Sequence, residues 1–141
     1  MREIKFRAKR IDNAEWVNGS GLLVADDFCV IDTDTEMYED EKYEWAGATH
    51  FYRVAGAKCD KETICQFTGL KDKNGQEIYE GDILSFGWIE DHDYIVVRFV
   101  RGVFAFLWND NLDDECVTQA PTHEWAEVIG NVYDDENLLK Q

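Results

Sequence analysis

The sequence predicts a mainly β protein with a small barrel in its C-terminal part, an additional N-terminal β subdomain and little helix. Three observations carry that reading. Apolar and polar residues alternate at period two through much of the chain, the pattern of half-buried strands. Some eight to ten such runs are short and are separated by Gly, Asn and Asp turns rather than by long helical stretches. A single proline, Pro121, leaves no room for a proline-rich linker in 141 residues.

The first run, REIKFRAKR, places Ile4, Phe6 and Ala8 on one face and Glu3, Lys5, Arg7 and Lys9 on the other. Asp12-Asn13 supplies turn chemistry before apolar character resumes at Trp16-Val17. GLLVA and FCVID follow as two short strands joined across Asp26-Asp27 at hairpin spacing. Residues 32–46, DTDTEMYEDEKYEWA, break this rhythm, and their acidity predicts an exposed loop with a helical turn around Glu36 to Lys42. THFYRV reads as a strand and AGAKCDKET as a connection.

TICQF is a buried strand that ends at Thr68-Gly69. In TGLKDKNGQEIYEGDIL, Asn74-Gly75 offers two residues that tolerate positive φ, the requirement of a type I′ hairpin. Gly69 and Gly81 mark bends or bulges at strand ends. DILSFGWI, YIVVRFV and VFAFLW come next, the last two joined by the tight Arg101-Gly102 turn. EWAEVIGNVYD alternates again, and DDENLLK predicts a short C-terminal helix capped by Asp134 or Asp135. The implied organisation is a β subdomain over 1–62, carrying the acidic loop 32–46, and a barrel subdomain over 63–141.

Charge narrows the function classes. Fourteen basic residues stand against thirty acidic ones, a net charge of −16. Five of the basic residues lie in the first ten positions, whereas Gly102 to Leu139 holds nine acidic residues and no Lys or Arg. Most of such a surface repels nucleic acid and anionic membranes. No apolar run nears the roughly 20 residues that span a bilayer, and MREIKFRAKR lacks the apolar core of a secretory signal. The expected location is therefore cytoplasmic. Cys29, Cys59, Cys65 and Cys116 contain no C-x-x-C pair and read as core thiols rather than a disulfide framework or zinc cage.

The catalytic constellations fail on spacing. His50, His92 and His123 stand far apart, and HEWAE is not HExxH. Glu90-Asp91-His92-Asp93 falls between two strands, where a solvated turn is expected. Neither Ser20 nor Ser85 lies in G-x-S-x-G. The central glycine-rich run has neither the G-K-[ST] of a phosphate loop nor G-x-G-x-x-G. No catalytic residue, cofactor site or metal site is assigned, and the expected class is non-enzymatic.

MREIKFRA, DNAEWVNGS, ETICQFTGLKDKNGQEIYEGDIL and EVIGNVYDDENLL, in that order along nearly the whole chain, resemble the YopX family of phage and prophage proteins. Lys9 and Arg10 follow the FRA of the first strand where members usually carry Trp or Gly. The resemblance implies a mainly β fold with an SH3-like barrel component, a phage or prophage origin and action in a bacterial cytoplasm. It implies no enzymatic activity.

The leading expectation is a binding module that engages a protein partner or associates with itself. Its expected surface is Asp34, Glu36, Tyr38, Glu39, Asp40, Glu41, Tyr43 and Trp45, where aromatics in acidic surroundings fit a protein partner better than RNA or DNA. The alternatives are an acidic DNA-mimic inhibitor of a host DNA-binding protein or nuclease, and a hydrolase using a carboxylate-bound divalent metal.

Overall fold

The computed structural model describes residues 3–32, 37–45, 48–86, 94–111 and 126–140, with the backbone alone described in the strands between 37 and 55. The protein is mainly β, as the alternation predicts. It divides into two units, Ile4–Ile64 and Cys65–Gln141, the latter with Met1–Glu3.

The first unit is a succession of hairpins. Strands β1 (Phe6–Lys9) and β2 (Trp16–Gly19) pair antiparallel, with Ala8 opposite Val17. The expected alternation holds here: Phe6 and Ala8 turn into the core, while Arg7 and Lys9 lie over the Trp16 ring at 4.7 and 5.7 Å. Ile4 departs from it, lying before the strand and 55% exposed. Strands β3 (Gly21–Val24) and β4 (Cys29–Asp32) form the hairpin predicted across Asp26-Asp27.

Two elements differ from expectation. The acidic stretch read as a loop with a helical turn instead forms strand β5 (Met37–Trp45), paired with β6 (Ala48–Ala55) through a bulge at Asp40/Lys42. Cross-strand pairing overrides weak local β propensity there. The stretch read as a plain connection contains β7 (Ala57–Cys59), which adds to β4 and gives the sheet order β3-β4-β7. A 3₁₀ turn at Lys61–Thr63 follows, capped by Asp60. The buried Thr63 hydroxyl accepts the Lys9 amide at 2.8 Å, which ties the turn to β1. Ala8, Cys29, Ile31, Ala57 and Cys59 form the core, flanked by Phe6, Val17, Leu22 and Ile64.

In the second unit β8 (Cys65–Lys71) pairs with β9 (Glu77–Tyr79), with a register shift between Phe67 and Lys71 that spans Gly69. Strands β10 (Asp82–Phe86), β11 (Ile95–Val100), β12 (Val103–Trp108) and β13 (Ala126–Asn131) form a sheet of order β12-β11-β10-β13. All its neighbours run antiparallel, an arrangement compatible with the expected SH3-like barrel. Ile78, Leu84, Ile95, Val97, Phe106 and Ala126 are its buried cluster.

The β11–β12 connection is the tight turn predicted at Arg101-Gly102, with both residues at positive φ (53° and 82°). The C-terminal helix is a 3₁₀ turn, Glu136–Lys140. Asp135 does not cap it with its side chain: the carboxylate turns back to accept the Asn131 amide at 3.0 Å.

Candidate functional site

Gly69, Gly75 and Gly81 all take positive φ, at 89°, 82° and 86°. The predicted type I′ turn at Asn74-Gly75 is corrected, because Asn74 is not among the positive-φ residues. The Gly75 amide bonds to the Asp72 carbonyl at 3.0 Å, and the Asp72 amide bonds to the Gln76 carbonyl at 2.8 Å. This is the three-residue hairpin loop, a turn from Asp72 to Gly75 closed by one left-handed residue. Gly75 supplies that residue, and space around it is open.

The residue that organises the loop is Asp72, which spacing arguments passed over. Although it lies between Lys71 and Lys73, it is only 5% exposed. Its Oδ1 accepts the amides of Asn74 (2.8 Å) and Gln76 (2.9 Å), and its Oδ2 accepts the amide of Val128 on β13 (3.0 Å). The Lys73 amide adds a bond to the Ala126 carbonyl at 3.0 Å. Burial alone would raise the Asp72 pKa, but the three amides and the nearby Lys73 charge outweigh it and hold the carboxyl below its usual range. The available signal was local: an Asp two residues before a turn residue bonds that residue's backbone as an Asx-turn.

Gly81 is a junction. Its amide bonds to the Val97 carbonyl at 2.7 Å, and its carbonyl accepts the Val132 amide at 2.9 Å. A Cβ there would meet the Tyr133 ring at 3.3 Å and the Cys65 sulfur at 3.7 Å. Around it lies a polar group made of Cys65, Glu80, Arg98, Asp110 and Tyr133. Arg98 is held by a bidentate pair to Asp110 at 3.0 and 2.8 Å, which raises its pKa despite partial burial. Burial raises the Glu80 carboxyl. Burial, then the neighbouring Cys65 and Glu80, pushes the Tyr133 phenol up to about 12.

At neutral pH Tyr133 thus remains a phenol, and Arg98 is committed to Asp110, which links β11 to the residues after β12. Among the described residues, no cluster of three or more His, Cys, Asp or Glu is arranged to hold a metal ion. Glu90 to Asp93 and His123 lie outside the described residues.

Of the expected partner surface, Asp34 and Glu36 lie outside the described residues. Tyr38, Glu39, Asp40, Glu41, Tyr43 and Trp45 are placed on the single strand β5. A feature the sequence reading missed lies on the edge strands. Leu23 and Val24 on β3 are 53% and 59% exposed, Val103 on β12 is 47% and Ile129 on β13 is 44% exposed. Each of these strands is outermost in its sheet among the described residues. Natural edge strands usually carry charge or proline at such positions, which discourages pairing with another chain.

The fold and these features define a mainly β protein of two units, with a pinned glycine loop and apolar sheet edges. Comparison with known proteins makes the class specific. The profile of the YopX protein family matches residues 5–140, and the chain belongs to that family. It is similar in fold to the crystal structure of protein EF1440 from Enterococcus faecalis, with 24% identity over 99% of both chains and a TM-score of 0.58. No curated protein matches. Among the described residues, no helix is long and apolar enough to cross a membrane.

Proposed function

We propose that this protein is a non-enzymatic accessory protein of phage or prophage origin, a β-barrel binding module that works in the bacterial cytoplasm. It engages a protein partner or a second copy of itself through a sheet edge. The observation that carries this reading is β3, a four-residue edge strand whose last two side chains, Leu23 and Val24, are more than half exposed. Leu23 pairs with Val30 and Val24 with Cys29 across β4, and among the described residues no strand pairs with the other side of β3. Its other edge offers the backbone groups that an added strand would use. Membership of the YopX family supports the phage setting.

Light scattering after gel filtration and pull-down from host lysate test the reading together. Wild-type protein should self-associate or retain a partner, and the Leu23→Lys/Val24→Lys variant should do neither while folding normally. A wild type that is strictly monomeric and captures nothing would overturn it.

A second reading, an acidic DNA mimic acting on a host DNA-binding protein or nuclease, draws on the net charge of −16 and the acidic strand β5. Converting Glu39, Asp40, Glu41 and Glu44 to amides should abolish inhibition of such a target, and unchanged inhibition would sink this second reading.

A further inference from the structure

Cys29 and Cys59 are directly opposite each other on β4 and β7. Both are fully buried in one core cluster, and neither is in a disulfide. Residues opposite one another in an antiparallel ladder project to the same side of the sheet, so the two thiols share one face.

The kind of pair they form follows from the flanking hydrogen bonds. On the β3 side, the Ala25 amide bonds to the Phe28 carbonyl at 2.8 Å, just outside the Val24–Cys29 pair. The backbone groups of Cys29 therefore point away from β3 and toward β7. On the other side of β7, the Ile11 amide bonds to the Lys58 carbonyl at 3.1 Å and the Asp60 amide to the Lys9 carbonyl at 2.8 Å. These two bonds bracket the bridge between Arg10 and Cys59, so the backbone groups of Cys59 point toward β4.

Cys29 and Cys59 are thus a hydrogen-bonded pair, for which the Cα atoms stand about 5.5 Å apart. That falls at the commonest separation for disulfides, about 5.5–6 Å. The Cβ atoms of such a pair are held roughly 5 Å apart or more, whereas a relaxed disulfide draws them to about 3.8 Å. A bridge here is possible but strained, and strained disulfides are the ones that reduce easily.

We infer that Cys29 and Cys59 form a reversible cross-strand disulfide, a redox modification site that locks the short strand β7 onto β4. The oxidant is a low-molecular-weight disulfide. One cysteine, as its thiolate, attacks a sulfur of that reagent. The reagent's S–S bond breaks, and half of it leaves and takes up a proton as a thiol. The second cysteine, as its thiolate, then attacks the mixed disulfide at the protein sulfur, forming the Cys29–Cys59 bond and releasing the other half as a second thiol. The protein thiols lose two electrons and two protons, and the reagent gains both. Burial raises the Cys29 thiol to about 11, so exchange proceeds through transient opening of three-residue β7 rather than from the closed sheet.

The test is incubation of the full chain with oxidised glutathione, followed by intact mass and non-reducing peptide mapping. Wild type and Cys65→Ala should each lose two hydrogens in mass and yield one linked peptide pair containing Cys29 and Cys59. Dilute dithiothreitol should restore the original mass. Cys29→Ala should yield no such pair, and Cys59→Ala should behave alike if the Cys29 variant folds poorly. Only mixed glutathione adducts, or a link between other cysteines, would overturn the assignment. So would an unchanged mass in a sample also incubated at a urea concentration at which β7 exchanges its amides.

Discussion

The loop Asp72–Gln76 and the edge strand β3 each break a rule of residue placement, in opposite directions. The loop buries a carboxylate, and the strand exposes Leu23 and Val24. Buried polar groups and exposed apolar ones are the informative exceptions to inside–outside sorting. Asp72 has all its needs met within its unit, by three backbone amides at 2.8 to 3.0 Å. Both of its oxygens are thus engaged with backbone, and the carboxylate pins the loop. For Leu23 and Val24 the water remains, and only another surface would remove it. The first exception is satisfied within the fold and the second is not, which is why the proposed interface is placed on β3.

That contrast breaks most readily at Asp72. Asp72→Ala leaves buried amides without an acceptor and should cost about 3 kcal/mol of stability, since hydrogen bonds to charged groups contribute roughly 1.5–3 kcal/mol each and are not additive. Urea unfolding with an unchanged slope would measure it. A loss below about 1 kcal/mol would mean that the loop is not pinned.

Asp72→Asn keeps one acceptor oxygen and should cost less, about 1–2 kcal/mol near neutrality. Its sharper signature is in acid. The folded carboxyl titrates below its ordinary range, so its stabilisation is fully present above the unfolded value. It is lost as pH falls through the folded pKa. The acid limb of the wild-type stability curve should therefore be shallower in Asp72→Asn, and superimposable limbs would count against the pin.

Gly75→Ala tests the backbone rather than the carboxylate. Space around Gly75 is open, so the cost is that of forcing a Cβ into φ of +82°, about 1 kcal/mol. Gly75→Asn should cost less, because Asn tolerates that region. A thermal melt of the two variants separates these outcomes.

Much of the fold was legible because it is written locally. The hairpins β3–β4 and β11–β12 combine period-two alternation with turn residues at the right spacing, and both formed as read. β5 was not legible, because MYEDEKYEW has little apolar alternation and owes its strand to pairing with β6. β7 is three residues long, too short to leave a pattern. Asp72 was hidden for a different reason: its third amide belongs to Val128, 56 positions away, while its two lysine neighbours suggest a solvated turn. The same holds for Cys29 and Cys59, legible as core thiols but not as partners, since register alone sets them opposite. Leu23 and Val24 looked like ordinary strand residues until the sheet order placed β3 at an edge.

The smallest expected change in stability accompanies the largest expected change in function. Leu23→Lys/Val24→Lys alters solvent-facing positions and should shift unfolding by no more than about 0.5 kcal/mol per site. The decisive measurement is association of folded protein, read by light scattering and partner capture, for this variant beside Asp72→Asn at a temperature where both are folded. The β3 variant should lose association at wild-type stability, while Asp72→Asn should keep association at reduced stability. Association that survives the β3 substitutions but disappears with Asp72→Asn would contradict this, and would point to the glycine loop as the binding surface instead.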